Sequence, residues 1–414
     1  MSCSVMGDRT SQKRPLRIIR IIDRLNIGGP SKHVVWLTAA LNHGEFETTL
    51  VTGKVPSDEG DMRYFADAAG VTPVVIPQLS RTVTFGDFFV IFKLVRLFIN
   101  LRPHIIHTHK AKAGATGRIA GWIYRWVTPS CIWLQPRACH IVHTFHGHIF
   151  HAYFSASRTY LVLMLERMLA YLATDKIIAL SWRQYDELVS RYRIGFPSQF
   201  RVIPLGLDLP ESAGGGLRRE FGVESDIPLI GFVGRLCEVK NLPMLIDAAH
   251  RIISNGITVK FLLIGDGLLG RQLKAQVEQL GLSESVFFTG FRKDTASLYS
   301  ELDVVVLSSL NEGTPLTLLE AMAAGRAIAS TEVGGVADLM GKFHRACERF
   351  TIWDHGVTVR SGDSEGLAQG LLYLINGTRE RQIMGKRGRI FVQENYLVGR
   401  LVKDLKALYV ELVS

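Results

Sequence analysis

Residues 303–325 read DVVVLSSLNEGTPLTLLEAMAAG. The run of Val and Leu before Ser308 and Ser309 predicts a short buried strand, and LTLLEAMAA predicts a helix with Thr314 as N-cap and Pro315 as first helical residue. A strand that passes through a short loop into a helix is the unit from which parallel sheets are built. The helix start then lies at the C-terminal edge of the sheet, where open α/β sheets bind ligands and unpaired N–H groups favour anions or ligand hydroxyls. Glu320 falls inside the apolar helix, where an ionised carboxylate is costly without partners, and a ligand's hydroxyl pair would supply them. Glu312 precedes the helix with seven residues between the two carboxylates, so both can address neighbouring parts of one polyol. A salt bridge to a nearby basic side chain is the plainer explanation for either.

The same alternation runs along the whole chain. Around this unit, strands are predicted at 228–234, 259–265, 286–290, 303–309, 327–331 and 355–359, and before it at 17–22, 48–53, 73–77, 104–109, 140–146, 175–181 and 202–206. Longer amphipathic stretches separate them. The chain is therefore α/β, with two doubly wound, Rossmann-like domains: 15–208, then a flexible linker over 209–222 containing the Gly214–Gly216 triplet, then 223–393. Residues 394–414 predict an amphipathic helix free to pack on either domain. Residues 1–14 carry charge but no apolar core of a leader and are expected to be a disordered tail.

At 414 residues, 47% hydrophobic and 21% charged, with 39 Gly and 14 Pro, the composition excludes disordered, collagen-like and mucin-like chains. A net charge of +10 and a pI near 9.4 point to an anionic partner. The five cysteines, Cys3, Cys131, Cys139, Cys237 and Cys347, are scattered and form no Cys-x-x-Cys, so neither a disulfide framework nor a thiolate zinc site is expected. A cytoplasmic protein follows. The longest apolar runs stop well short of the roughly 18 residues a spanning helix needs.

Three further segments can carry chemistry. In GFVGRLCEVKNLPMLIDAA, Arg235 and Lys240 flank a strand-to-helix loop, where a pyrophosphate would lie and where cations would stabilise a leaving phosphate. In RLNIGGPSKHVVWLTAALNHG, Gly28 and Gly29 sit between the first strand and helix, where missing side chains let backbone approach a phosphate; a tight turn explains them equally well. Their spacing is not the G-x-G-x-x-G of NAD sites. Histidines crowd 104–109 and 140–151, yet no acidic or cysteine ligand accompanies them at metal-site spacing, so an active-site His146 at the strand end is expected in place of a metal centre.

Taken together, NEGTPLTLLEAMAAG, GRLCEVKNLPMLIDAA, LLIGDG with FTGFR, the Gly28–Gly29 loop and HIIHTHKAKAGATGRIAG resemble the retaining glycosyltransferases of family four. The resemblance implies the GT-B fold, two Rossmann-like domains facing each other across a cleft. It implies a hexosyltransferase that takes a sugar from a nucleoside diphosphate donor, here expected to be UDP-linked, with retained configuration and without metal or other cofactor. Glu320 would hold the ribose, Glu312 with the backbone of Gly313, Thr314, Pro315 and Leu316 the donor sugar, Arg235 and Lys240 the diphosphate, and Phe291 with Arg292 the base. His146 would face the sugar near the reacting carbon. The leaving phosphate itself would take the acceptor proton. The sequence departs from the family at Ala337, where Pro is usual, and over Gly341–Asp354, which is longer.

The acceptor implied is a glycan or a lipid-linked glycan, in polysaccharide or cell-surface glycan synthesis. FFVIFKLVRLFIN (88–100) and GWIYRWVTPSCIWLQPR (121–137) mix apolar bulk with cations and suggest peripheral contact with an anionic membrane at its inner face. The alternatives are a sugar-nucleotide epimerase of the same architecture or a non-catalytic sugar-nucleotide-binding protein. No helix-turn-helix, zinc-finger or RNP pattern supports a nucleic-acid partner, and no Asp-x-Asp supports a metal-dependent GT-A enzyme.

Overall fold

The structure is a computed structural model that describes residues 15–56, 59–80, 85–127, 135–147, 156–208 and 216–414. The expected tail 1–14 and residues 209–215 of the expected linker lie outside the described residues, as do 128–134 of the second apolar and basic stretch.

The first part runs β1 (Leu16–Ile21), α1 (Gly29–Ala40), β2 (Phe46–Thr52), α2 (Arg63–Ala68), β3 (Val74–Val75), α3 (Asp87–Leu101), β4 (Ile105–His109), α4 (Ala111–Trp126), β5 (His140–Thr144), α5 (Ala156–Ala173), β6 (Lys176–Ala179), α6 (Trp182–Asp186) and β7 (Phe200–Val202). Its seven strands form one parallel sheet in the order β3-β2-β1-β4-β5-β6-β7. In β1 and β4, Ile18, Ile19, Ile21, Ile105 and Ile106 are all buried, as expected of strands covered on both faces. The last strand was expected at 202–206 but ends at Val202. Leu205 and Leu207 remain buried, yet they leave the sheet to pack beneath the C-terminal helix.

The second part runs α7 (Leu217–Glu220), β8 (Leu229–Val233), α8 (Leu242–Ser254), β9 (Lys260–Ile264), α9 (Gly270–Gln279), β10 (Val286–Gly290), α10 (Thr295–Glu301), β11 (Val304–Leu307), α11 (Leu316–Ala323), β12 (Ala327–Thr331), β13 (Phe343–Ala346), β14 (Phe350–Trp353), β15 (Gly356–Val359), α12 (Ser364–Asn376), α13 (Thr378–Asn395) and α14 (Val398–Val413). Its eight-stranded sheet has the order β10-β9-β8-β11-β12-β15-β14-β13. Only six strands were expected. The extra length of Gly341–Asp354 is an antiparallel hairpin, β13–β14, added at the sheet edge beside β15. Every residue of β13 is exposed, so no buried apolar alternation marks it.

Helix α8 shows why the second sheet is covered. Leu242, Leu245, Ile246, Ala249 and Ile252 recur at helical spacing and are all buried. Each large aliphatic side chain so buried contributes about 1.5–3 kcal/mol. After α13 the chain crosses back: Leu207 and Leu397 form a parallel bridge, and α14 lies against the first domain. There Tyr409 Oη lies 2.6 Å from His107 Nδ1 in β4, and Arg201 pairs with Glu411 at 2.5 Å.

Candidate active site

In each sheet the strand order reverses beside the first strand, between β1 and β4 and between β8 and β11. Such switch points leave a crevice at the C-terminal strand ends. In the second sheet three bonds tie the loops around it: Ser308 Oγ donates to Lys240 O at 2.9 Å, Leu310 N to Val239 O at 2.8 Å, and Thr331 Oγ1 to Ser309 O at 2.6 Å. They position Glu312, whose carboxylate receives Lys240 Nζ at 2.5 Å and Ser309 Oγ at 2.6 Å. Gly334 makes the fit possible. Its φ is +51°, and a Cβ there would lie 1.7 Å from Glu312 O.

Helix α11 begins one residue later than the sequence suggested. Pro315, with φ −74° and ψ 109°, is the N-cap in place of Thr314. The reason is that Pro315 O closes the first turn, accepting from Leu318 N at 3.1 Å, while the residue's own backbone remains extended. One turn further on, Glu320 accepts from Tyr299 Oη at 2.9 Å and forms an ion pair with Lys32 from α1 of the first domain. Burial, and then the neighbouring Glu320 charge, push the Tyr299 phenol well above its usual range, so it remains a donor.

The first domain meets this helix start through backbone. Gly29 opens α1, and a Cβ on it would sit 3.3 Å from Leu316 Cβ. Gly313 approaches His146, where a Cβ would lie 2.8 Å from the His146 carbonyl oxygen. The imidazole of His146 is held behind that contact, its Nε2 lying 2.9 Å from His109 Nδ1. His33 of α1 packs edge-on to both rings, with centroids 5.0 Å from His146 and 5.8 Å from His109.

Potential ligand atoms of the three histidines lie within 4.8 Å of one another. Burial foremost holds all three well below the ordinary histidine value, with His33 at about 3, and neighbouring Arg20, Arg400 or Lys110 act in the same direction. They are neutral imidazoles, and Lys110 and Arg400 are themselves paired with Asp23 and Asp404.

A cavity of about 810 Å³ joins these groups. Gly28, Gly29, His146, Arg235, Lys240, Phe291, Arg292, Glu312, Gly313, Thr314, Pro315, Leu316 and Glu320 all line it. Arg235 is exposed there with no ion-pair partner among the described residues. Arg292, by contrast, is bound to Glu220 at 2.8 Å and Asp294 at 3.0 Å, which leaves Phe291 as the freer member of that turn.

Five groups in the site were not read from the sequence: Lys32, His33, Tyr299, His109, and Lys110, which pairs with Asp23 at 3.0 Å. Only His109 carried a signal. Alternation in HIIHTH puts it on the same face as His107, at the strand end beside His146.

The profile described as Glycosyltransferase Family 4 matches residues 27–211, and that described as Glycosyl transferases group 1 matches residues 227–377. The UDP-Gal:alpha-D-GlcNAc-diphosphoundecaprenol alpha-1,3-galactosyltransferase of Escherichia coli is 26% identical over 382 residues, covering 90% of this chain and 91% of that protein. The capsular polysaccharide biosynthesis glycosyltransferase CapM of Staphylococcus aureus is 24% identical, covering 81% and 84%.

Among solved structures, Anabaena HepE in complex with UDP and glucose superposes with a TM-score of 0.77 at 20% identity, over 96% of this chain and all of that one. Sucrose-phosphate synthase from Thermosynechococcus elongatus superposes with a TM-score of 0.76, also at 20% identity, over 96% of this chain and 99% of that one. With the paired sheets, the shared cleft and two family matches that between them span most of its length, the chain belongs to the family-four glycosyltransferases and has their GT-B fold.

Proposed function

We propose that the protein transfers a hexose from a UDP-linked donor to a glycan or lipid-linked acceptor, with retained configuration and without metal, in polysaccharide or cell-surface glycan synthesis. The observation that carries this reading is the start of α11. Glu312 and Glu320 stand on either side of it and line one cavity with Arg235 and with Lys240, which is ion-paired to Glu312. In this arrangement Glu320 takes the ribose hydroxyls, Arg235 and Lys240 the diphosphate, and the helix-start N–H groups the donor sugar. HepE, solved with UDP and with UDP-glucose, and the galactosyltransferase relative that uses UDP-Gal both support a UDP-linked donor. The relatives named are transferases, which does not favour an epimerase.

Retention without a protein nucleophile is supported by the state of the carboxylates. Of those lining the cavity, Asp23, Asp87, Glu166, Glu312 and Glu320 are each engaged by a cation, and Asp266 accepts from Gly267 N at 2.7 Å. These contacts orient the carboxylates, and in this reading none of them attacks the sugar carbon. His146, neutral and fixed through Nε2, offers its other ring nitrogen to the sugar. The leaving phosphate then takes the acceptor proton.

A thermal-shift screen against UDP-, GDP- and ADP-sugars tests the donor. A ligand at about a hundred times its dissociation constant stabilises by roughly 2.7 kcal/mol. Stabilisation by UDP-sugars alone, with turnover that survives EDTA, is the expected result. Turnover abolished by chelator and restored by a divalent ion would reassign the diphosphate charge to a metal.

A further inference from the structure

We propose that His109 is a positioning residue for the transfer: its Nδ1–H donates to His146 Nε2 and thereby fixes the proton of His146 on Nδ1, the nitrogen left to the sugar site. This rests on the transferase reading above, which leaves that proton unassigned. In the β4–β5 register His109 stands opposite Thr144, and two residues later the chain carries His146 past the His109 ring. Both imidazoles are neutral, so the 2.9 Å contact between His109 Nδ1 and His146 Nε2 holds one proton. Two arrangements satisfy it. If His146 donates, the proton of His109 falls on Nε2; if His109 donates, its Nε2 is a bare lone pair.

The surroundings of His109 Nε2 decide between them. That atom is buried with no hydrogen-bond partner among the described residues. His107, stacked on His109 with centroids 4.2 Å apart, has both nitrogens engaged, Nδ1 by Tyr409 Oη at 2.6 Å and Nε2 by Thr144 Oγ1 at 2.7 Å. The full charge acting on the His109 ring is positive and comes from Arg20, itself buried with Nε and Nη1 unpaired. A cation repels an N–H and attracts a lone pair, and orphaned buried N–H groups are rare. His109 therefore keeps its proton on Nδ1 and donates it to the contact.

His146 must then accept at Nε2 and carry its own proton on Nδ1. His146 lines the cavity, and its Nδ1 has no partner among the described residues. What meets the sugar is a neutral N–H. It donates to a sugar oxygen and cannot take the acceptor's proton, in keeping with a leaving phosphate that takes it. Free neutral histidine favours the opposite tautomer, with the proton on Nε2, so the assignment has a spectroscopic signature.

Nitrogen-15 NMR of histidine-labelled protein reads the tautomer, with His146→Gln assigning the His146 signals. Wild type should show a protonated Nδ1 and a bare Nε2 at His146. His109→Phe keeps an aromatic ring against His107 but cannot donate. In it the His146 proton should return to Nε2, and kcat should fall about tenfold with little change in donor KM. His109→Asn, whose side-chain amide places an N–H near the Nδ1 position, should retain the Nδ1–H signature and most of the turnover. A merely structural His109 would move neither the tautomer nor kcat apart from KM. A His146 protonated at Nε2 in wild type, an unchanged tautomer in folded His109→Phe, or folded His109→Asn no more active than His109→Phe would each overturn the proposal. Failure of the transferase reading shows separately, as a wild type that UDP-sugars do not stabilise and that transfers no sugar, whatever the tautomer of His146.

Discussion

Lys32 of the first domain is ion-paired with Glu320 of the second, across the cleft and on the carboxylate proposed to hold the donor's ribose. Ribose and Lys32 therefore compete for one acceptor. The pair is partly exposed, with side-chain exposures of 22% and 17%, and such pairs are worth about 0.2–1 kcal/mol. Lys32→Met should tighten UDP binding by about 1.4- to fivefold in a calorimetric titration. Weaker binding would mean that Lys32 itself contacts the nucleotide.

The two carboxylates should separate kinetically. Glu320→Ala removes a charge-assisted bond worth about 1.5–3 kcal/mol, so donor affinity should fall roughly ten- to a hundredfold. Glu312→Gln keeps the shape and loses the charge near the developing positive centre, so kcat should fall more than donor KM rises. Folded variants with wild-type turnover and affinity would make the pair structural.

Acid should destabilise the first domain through its neutral histidines. His33, His107, His109, His143 and His146 are all held well below the ordinary value by burial. Below about pH 6.5 the unfolded chain takes up protons that the folded one refuses. The stability that depends on their neutral state is thus complete above that pH and declines as pH falls below it, for His33 down to its value of about 3. Melting temperatures at pH 7.5, 6.5 and 5.5 should fall in that order. A flat profile would show that the imidazoles are protonated in the folded state.

Much of the architecture could be read because parallel strands buried on both faces leave continuous apolar runs, as in VVVL of β11 and KFLLI of β9. The hairpin β13–β14 could not, since its first strand is exposed and its pairing is set by β15, which lies later in the chain. The site divides in the same way. Glu312, Glu320 and Lys240 sit in local strand-loop-helix patterns whose geometry a short window implies. Lys32 and Tyr299 act on Glu320 from separate helices, and no local window holds that information. The off-by-one N-cap at Pro315 has a local cause: proline prefers the first helical position but equally suits the extended φ and ψ of a cap.

The return of α14 to the first domain bears on biosynthesis. Tyr409 lies against His107 and over Arg20, so two central strands of the first sheet are completed by a residue about two hundred positions after β7. At about 5–20 residues per second, the roughly two hundred residues after β7 take on the order of 10–40 s to translate. During that interval Arg20 and His107 lack their covering helix, and the first domain is completed only when α14 has been made.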